Sequence, residues 1–247
     1  PVHVFGNAVD LEPLVDICKE RNIRIVEDAS ESLGTYYKEG AHAPAHCGTV
    51  GDFGCLSFNG NKIITTGGGG MILTSDSNLA EKAMYLTTQA KDDEKRYIHN
   101  EIGYNFRLTN IQAAMGVAQL EQLPSFLEIK KKNFANYRNI INKIPGLHLA
   151  DGPGYAENNL WMYALQLDKR VYGKDRDELM AHLSGMGIET RPVWYLNHLQ
   201  KPYKIYQCYK IEIAYRMQEK TLNIPCSVDL TDKVITGIVE TLNYEKL

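Results

Sequence analysis

The sequence has no run approaching the roughly 18 consecutive apolar residues that a membrane-spanning helix needs. Its opening residues do not read as a secretory leader, and none is expected. Charge of one sign is also missing. Lys and Arg total 27 against 30 for Asp and Glu, so the chain carries no basic footprint for nucleic acid. No CxxC pair occurs, and the five cysteines, Cys18, Cys47, Cys55, Cys208 and Cys226, are scattered and odd in number. That distribution argues for reduced thiols in a cytoplasmic protein and against structural zinc. A catalytic metal is not expected from the seven histidines. Low-complexity segments and internal repeats are lacking, and at 44% hydrophobic residues the chain has enough apolar content for a packed core.

What is present alternates between strand and helix patterns. The chain opens at Pro1 and runs into Val2-His3-Val4-Phe5-Gly6, which reads as a strand already inside a domain. A further N-terminal portion is therefore expected. Asp10 is placed to cap a helix through Leu11, Leu14, Val15 and Cys18, with Glu12-Pro13 in its first turn. Short strands are expected at Ile23 to Val26, Cys55 to Phe58 and Gly70 to Thr74, and a helix from Ser77 to about Gln89. Thr109 and Gln112 form a Thr-x-x-Gln capping box, and Pro124 fits the first turn of a second long helix ending near Lys143. Lys130-Lys131-Lys132 reads as a solvated face of that helix. Beyond it, strands are expected at Leu160 to Leu167 and Ile188 to Trp194. Helices are expected at Asp175 to Met186, Tyr209 to Leu222 and from Thr231 to about Asn243. The rhythm is that of an α/β protein with a largely parallel sheet. Residues 1–128 would form a large domain and residues 129–247 a smaller α+β domain, joined by the long helix.

Three segments carry chemistry. In Ser57-Phe58-Asn59-Gly60-Asn61-Lys62, a strand runs into a polar turn and a lysine, followed by Gly67 to Gly70. A hydroxyl five residues ahead of an amine can bind a phosphate while the amine reaches an aldehyde on the same molecule, and glycine lets backbone approach it. Taken alone, the segment equally suits a surface lysine beside a flexible turn. Val26-Glu27-Asp28-Ala29-Ser30 places a carboxylate at the end of a buried strand, where open α/β sheets hold their ligands. Such an acid can pair with a protonated pyridine nitrogen, or simply cap a helix. Gly103-Tyr104-Asn105-Phe106-Arg107-Leu108-Thr109 offers an amide and a guanidinium for a phosphate or carboxylate, or is a loop leading to a helix.

The order and spacing of these segments, with Gln112-Ala113-Ala114, the opening Val2 to Gly6 and the late Leu222-Asn223-Ile224-Pro225, resemble the DegT/DnrJ/EryC1/StrS aminotransferases over nearly the whole chain. The resemblance implies a fold-type I pyridoxal 5'-phosphate enzyme acting as a homodimer with shared active sites. It would transfer an amino group, with glutamate the expected donor, to a nucleotide-linked 4-keto-6-deoxy sugar. The bacillosamine and legionaminic acid type of 4-aminotransferase is the nearest in character. Lys62 would hold the cofactor as an imine and shuttle the proton, and Asp28 would pair with the ring nitrogen. Ser57 would hold the phosphate, and Asn105 would reach the phosphate of the neighbouring subunit. Ala29 and position 31 would lie at the ring. His198 and Arg191 would line the sugar site, and Arg107 would meet the donor carboxylate. Many members carry Gln or His where this chain has Glu31, and some carry an acid where it has Gly68. The family's N-terminal part also supplies amides and an aromatic ring around the cofactor. The resemblance leaves room for another reaction on the same scaffold, such as a cyclitol aminotransferase or a dehydratase, or for a non-catalytic cofactor-binding sensor or fragment. Dehydratases of the family use histidine in place of the lysine, against which Lys62 speaks.

Overall fold

In the computed structural model, which describes residues 1–243, strand β1 (Val26–Asp28) ends on Asp28, as expected, but starts at Val26 and not at Ile23. The expected strand at 23–26 is displaced because Ile23 donates its N–H to the Cys18 carbonyl at 2.8 Å, and Ile25 donates its own to Asp52 at 2.7 Å. Helix α1 (Glu12–Glu20) has Leu11, not Asp10, at its N-cap, and no side chain caps it. The Val2 to Gly6 stretch is not a strand either. Val2 makes one parallel bridge to Asp28, and Val4–Gly6 is a 3-10 turn with Phe5 at φ 56°. The turn draws the Phe5 N–H onto Glu31 at 2.7 Å and sends the His3 ring inward.

β1 pairs in parallel with β3 (Phe53–Ser57), and β3 pairs antiparallel with β4 (Gly70–Leu73), giving the order β1-β3-β4. β2 (Tyr36–Tyr37) pairs with a strand from far along the chain, described below. Behind β1 lies a buried polar knot. Glu27 and His3 are both 0% exposed, 2.9 Å apart. The Glu27 carboxylate also accepts the N–H groups of Gly48 and Val50 at 2.7 Å and of Gly51 at 2.6 Å. Val9 donates to His3 Nδ1 at 3.1 Å, so the His3 Nε2 proton points at Glu27. The turn sits so close to β3 that a Cβ at Gly54 would lie 1.8 Å from the Gly48 carbonyl oxygen.

Helix α2 (Ser77–Thr87) is capped by Asp76, and β5 (Lys91–Asp93) and β6 (Ile98–His99) form a small hairpin. Thr109 and Gln112 do make a reciprocal box, each accepting the other's N–H at 3.3 Å. From there α3 (Asn110–Ile141) runs as one 32-residue helix through Pro124, where two helices were expected. Pro124 removes one donor, but it lies on an exposed side where water can satisfy the carbonyl one turn back. Leu123 and Phe126, on either side of it, pack on the cluster of Ala29, Leu56, Phe58 and Ile64 and hold the helix in line.

The chain clusters into two units, Pro1–Glu128 with Gly152–Trp161, and Ile129–Asp151 with the chain from Met162 onward. The expected division put residues 152–161 in the second domain. They belong to the first because β8 (Ala156–Glu157) pairs antiparallel with β2.

In the second unit β7 (Leu147–Leu149), β9 (Tyr163–Leu167), β10 (Arg191–Pro192) and β11 (Thr221–Ile224) form an antiparallel sheet, ordered β10-β11-β9-β7. Its helices are α4 (Lys169–Tyr172), α5 (Arg176–Gly185), α6 (Glu212–Lys220) and α7 (Asp232–Leu242). Asp175 and Glu178 box the start of α5, and Thr231 caps α7 as expected. The expected strand at 188–194 shrinks to two residues. The expected helix to Leu222 stops at Lys220, because Leu222 and Ile224 turn into the core as strand residues. Lys130 does not face solvent. It is 4% exposed, donates from Nζ to the Cys226 carbonyl at 2.6 Å and lies 5.0 Å from the centre of the Tyr163 ring. Burial pushes its pKa down. No helix among the described residues is long and apolar enough to cross a membrane.

Candidate active site

The site begins with strand register. Asp28 lies opposite Cys55 in the parallel β1–β3 pair. Side chains alternate along a strand, so Asp28, Cys55 and Ser57 share one face at the carboxyl ends of both strands. The Cys55 thiol senses this placement, because burial and then the Asp28 charge push its pKa up. Asp28 itself is exposed, and its carboxylate accepts only the Ser30 N–H, at 3.1 Å, among the described hydrogen bonds. Ser57 Oγ accepts the Asn59 N–H at 3.4 Å as the chain leaves β3.

The loop that follows is closed on itself. Phe58 donates to Gly69 O, and Thr66 donates to Phe58 O, both at 3.0 Å. Lys62 donates its backbone N–H to Asn59 O at 3.0 Å. Gly69, at φ +87°, needs its missing side chain twice over, since a Cβ there would meet Leu108 at 2.9 Å. The loop folds the Lys62 side chain inward, to 12% exposure.

The Lys62 amine has two neighbours. Glu31 Oε1 is 3.9 Å from Nζ, and the centre of the Trp161 ring is 4.4 Å away. Burial pushes the Glu31 carboxyl above its ordinary pKa. The Phe5 N–H and Lys62 pull it back, and the charge of Asp28 adds to the rise. Glu31 thus lies within electrostatic reach of both Lys62 and Asp28. Ala29 is fully buried with Leu56, Phe58 and Ile64, and its N–H binds Cys55 O at 3.0 Å.

Two contributors were not foreseen from sequence. Asn159 donates from Nδ2 to Glu31 O at 2.8 Å and Leu33 O at 2.9 Å, and its Oδ1 accepts the Trp161 N–H at 2.9 Å. Trp161 then donates its indole N–H to Asn61 O at 2.8 Å. The signal in the sequence was faint: a tandem Asn158-Asn159 and one of only two tryptophans, ahead of a strand.

The remaining predicted residues are not joined to this group by any described hydrogen bond or ion pair. Asn105 is exposed and bridges Thr88 through its backbone, on a segment pinned to the end of α2. Arg107 is exposed and lines an open cleft of about 1090 Å³ with Gln112, Met71, Ile72 and Met84, a cleft that Asp28, Ser57 and Lys62 do not line. Arg191 and His198 lie in the second unit. Arg191 pairs with Glu189 at 2.6 Å, and His198 Nε2 is 2.9 Å from the Tyr215 hydroxyl.

An amine, a carboxylate and a hydroxyl now stand at one end of one sheet. A phosphorylated pyridine aldehyde needs those three: an amine for the aldehyde, an acid for the ring nitrogen and donors for the phosphate. The donor set of Lys62, Asp28 and Ser57 fits that group.

Comparison with known proteins agrees. The profile of the DegT/DnrJ/EryC1/StrS aminotransferase family matches residues 1–243. The GDP-perosamine synthase of Escherichia coli O157:H7 is 36% identical over 243 residues, 98% of this chain and 64% of that protein. That of Caulobacter vibrioides is 34% identical over 247 residues, again 98% of this chain and 64% of the relative. The solved structure of the aminotransferase TlmJ from Streptoalloteichus hindustanus matches with a TM-score of 0.87 at 25% identity, covering 98% of this chain and 64% of that one. This chain therefore spans just under two thirds of the length of each.

Proposed function

The chain belongs to the DegT/DnrJ/EryC1/StrS aminotransferase family, and we propose from that premise that it is the part of a sugar aminotransferase that carries the catalytic lysine. The acceptor is a nucleotide-linked 4-keto-6-deoxy sugar destined for a surface glycan, and glutamate is the amino donor. Two relatives named as GDP-perosamine synthases support a nucleotide sugar. The observation that carries the reading is the shared face of Asp28 and Ser57 beside a closed loop that turns the Lys62 amine inward.

The family uses pyridoxal 5'-phosphate, which supplies an aldehyde and an electron-withdrawing ring when bound. Lys62 would hold the aldehyde carbon and, once released, would move a proton at its Nζ between the substrate carbon and the cofactor carbon. Asp28 keeps the ring nitrogen protonated. Ser57 would hold the phosphate, and Ala29 would lie at the ring. Glu31 faces the Lys62 amine at 3.9 Å and would orient it. Asn105 serves the phosphate of a second subunit in a homodimer, Arg107 the donor carboxylate, and Arg191 with His198 the sugar.

The native protein should absorb at the visible edge of the ultraviolet, and borohydride should fix the cofactor on a peptide containing Lys62. Incubation with glutamate and GDP- or UDP-linked 4-keto-6-deoxy sugars should yield an amino sugar. A cofactor fixed on a different lysine would refute the reading. An Asp28→Asn protein should lose roughly 10²-fold in turnover with its cofactor still attached, because a neutral amide no longer holds the ring proton, and each lost pKa unit is about a factor of ten. Turnover within twofold of wild type would remove Asp28 from the mechanism.

A further inference from the structure

We propose that Trp161 is the positioning residue for the Lys62 amine. The inference deepens the reading above and rests on it for its functional meaning. The geometry has two parts. The indole face lies 4.4 Å from Nζ, at a distance where an aromatic face attracts a cation. The indole N–H binds Asn61 O at 2.8 Å, so the same side chain fixes the backbone immediately before Lys62.

Trp161 is itself tied to the opposite wall. Asn159 accepts the Trp161 N–H and donates to the carbonyls of Glu31 and Leu33, and its own N–H binds Thr35 Oγ1 at 3.0 Å. The short segment 159–161 therefore staples the turn after β1, which carries Glu31, to the turn after β3, which carries Lys62. Trp161 is 3% exposed, so the ring has one orientation to offer. Glu31 and the indole face bracket the amine as a charge on one side and a polarisable face on the other. Without the ring, Nζ has only Glu31 at 3.9 Å to hold it, a contact too long for a hydrogen bond.

The test uses the intact protein before cofactor is added. Lysines are pulse-labelled with acetic anhydride, and Lys62 is quantified by peptide mass spectrometry against the exposed Lys82. Trp161→Leu should label Lys62 about fivefold faster, because the amine loses the aromatic face it packs against and swings outward. Trp161→Phe keeps a ring face and should stay within twofold of wild type, a rescue that a merely space-filling role would not produce. With cofactor added, Trp161→Leu should bind it about tenfold more weakly. Labelling of buried Lys130 in Trp161→Leu would signal loss of fold. Trp161→Met, which fills the space without a ring, would then decide, with fivefold faster labelling expected. Wild-type labelling of Lys62 in whichever variant remains folded overturns the inference. Labelling needs no cofactor, so a protein that bound no pyridoxal phosphate would defeat the functional reading while the role of Trp161 at the amine still stood or fell on the labelling rates.

Discussion

Lys62→Ala should reduce turnover of keto sugar and glutamate by about 10⁴-fold and abolish the borohydride-fixed adduct. General acid–base catalysis by a positioned side chain accounts for about 10²–10⁴ on its own, and here the same amine also anchors the cofactor. The fold should survive. Lys62 sits on a loop closed by its own backbone bonds, and its side chain has only Glu31 and Trp161 as described neighbours. Losing the amine removes one of the two influences that hold the Glu31 carboxyl down, so that group should titrate at higher pH in the variant. Lys62→Arg should fail almost as badly, since a guanidinium neither condenses with the aldehyde nor releases a proton near neutral pH. Steady-state assays with stopped-flow absorbance check both variants. Lys62→Ala turning over within tenfold of wild type would leave the proposed function without its central residue.

Glu27→Ala should cost about 4 kcal/mol in the first unit, an effect on stability rather than on chemistry. Breaking one side of a buried charged cluster leaves its donors unpaired, at about 3–5 kcal/mol. Here His3 and the N–H groups of Gly48, Val50 and Gly51 would all lose their acceptor. Burial alone pushes the Glu27 pKa up. The bonds from His3, Gly51, Gly48 and Val50 outweigh it and leave the carboxyl below its ordinary value of 4.5. A carboxylate with a depressed folded pKa stabilises the fold above its unfolded value, and the contribution is lost as the pH falls through the folded one. The stabilisation should therefore be complete at neutral pH and fade progressively below about pH 4.5. Amide exchange at Gly48, Val50 and Gly51 reports it directly. At pH 7 the variant should exchange these protons about 10³-fold faster, since 1.4 kcal/mol is a factor of ten. Exchange within a factor of five of wild type would mean that the knot contributes little.

These residues differ in how far sequence could find them. Asp28, Ser57 and Lys62 could be named as candidates because strand ends and turns are written locally, and because their order and spacing repeat a family pattern. The box at Thr109 was legible for the same reason, being complete within four residues. Trp161 acts on a lysine about a hundred positions away, and no periodicity connects the two. Glu27 reads as an ordinary acid until the chain brings three N–H groups and His3 to it. Pro124 misled because a proline in a helix is judged by its missing donor, whereas the packing of Leu123 and Phe126 decided the helix. Lys130 misled through its neighbours: three lysines in a row suggest water, yet the first of them turns inward to a carbonyl and a ring.

The close approach at Gly54 has a consequence for any attempt to diversify this protein. With 1.8 Å between a would-be methyl and the Gly48 oxygen, position 54 admits hydrogen and nothing larger unless the backbone of one partner shifts. The backbone that would have to move carries the N–H groups held by Glu27. In a saturation library, codons for the other nineteen amino acids there should be depleted together, alanine as thoroughly as tryptophan, because the barrier is a wall and not a slope.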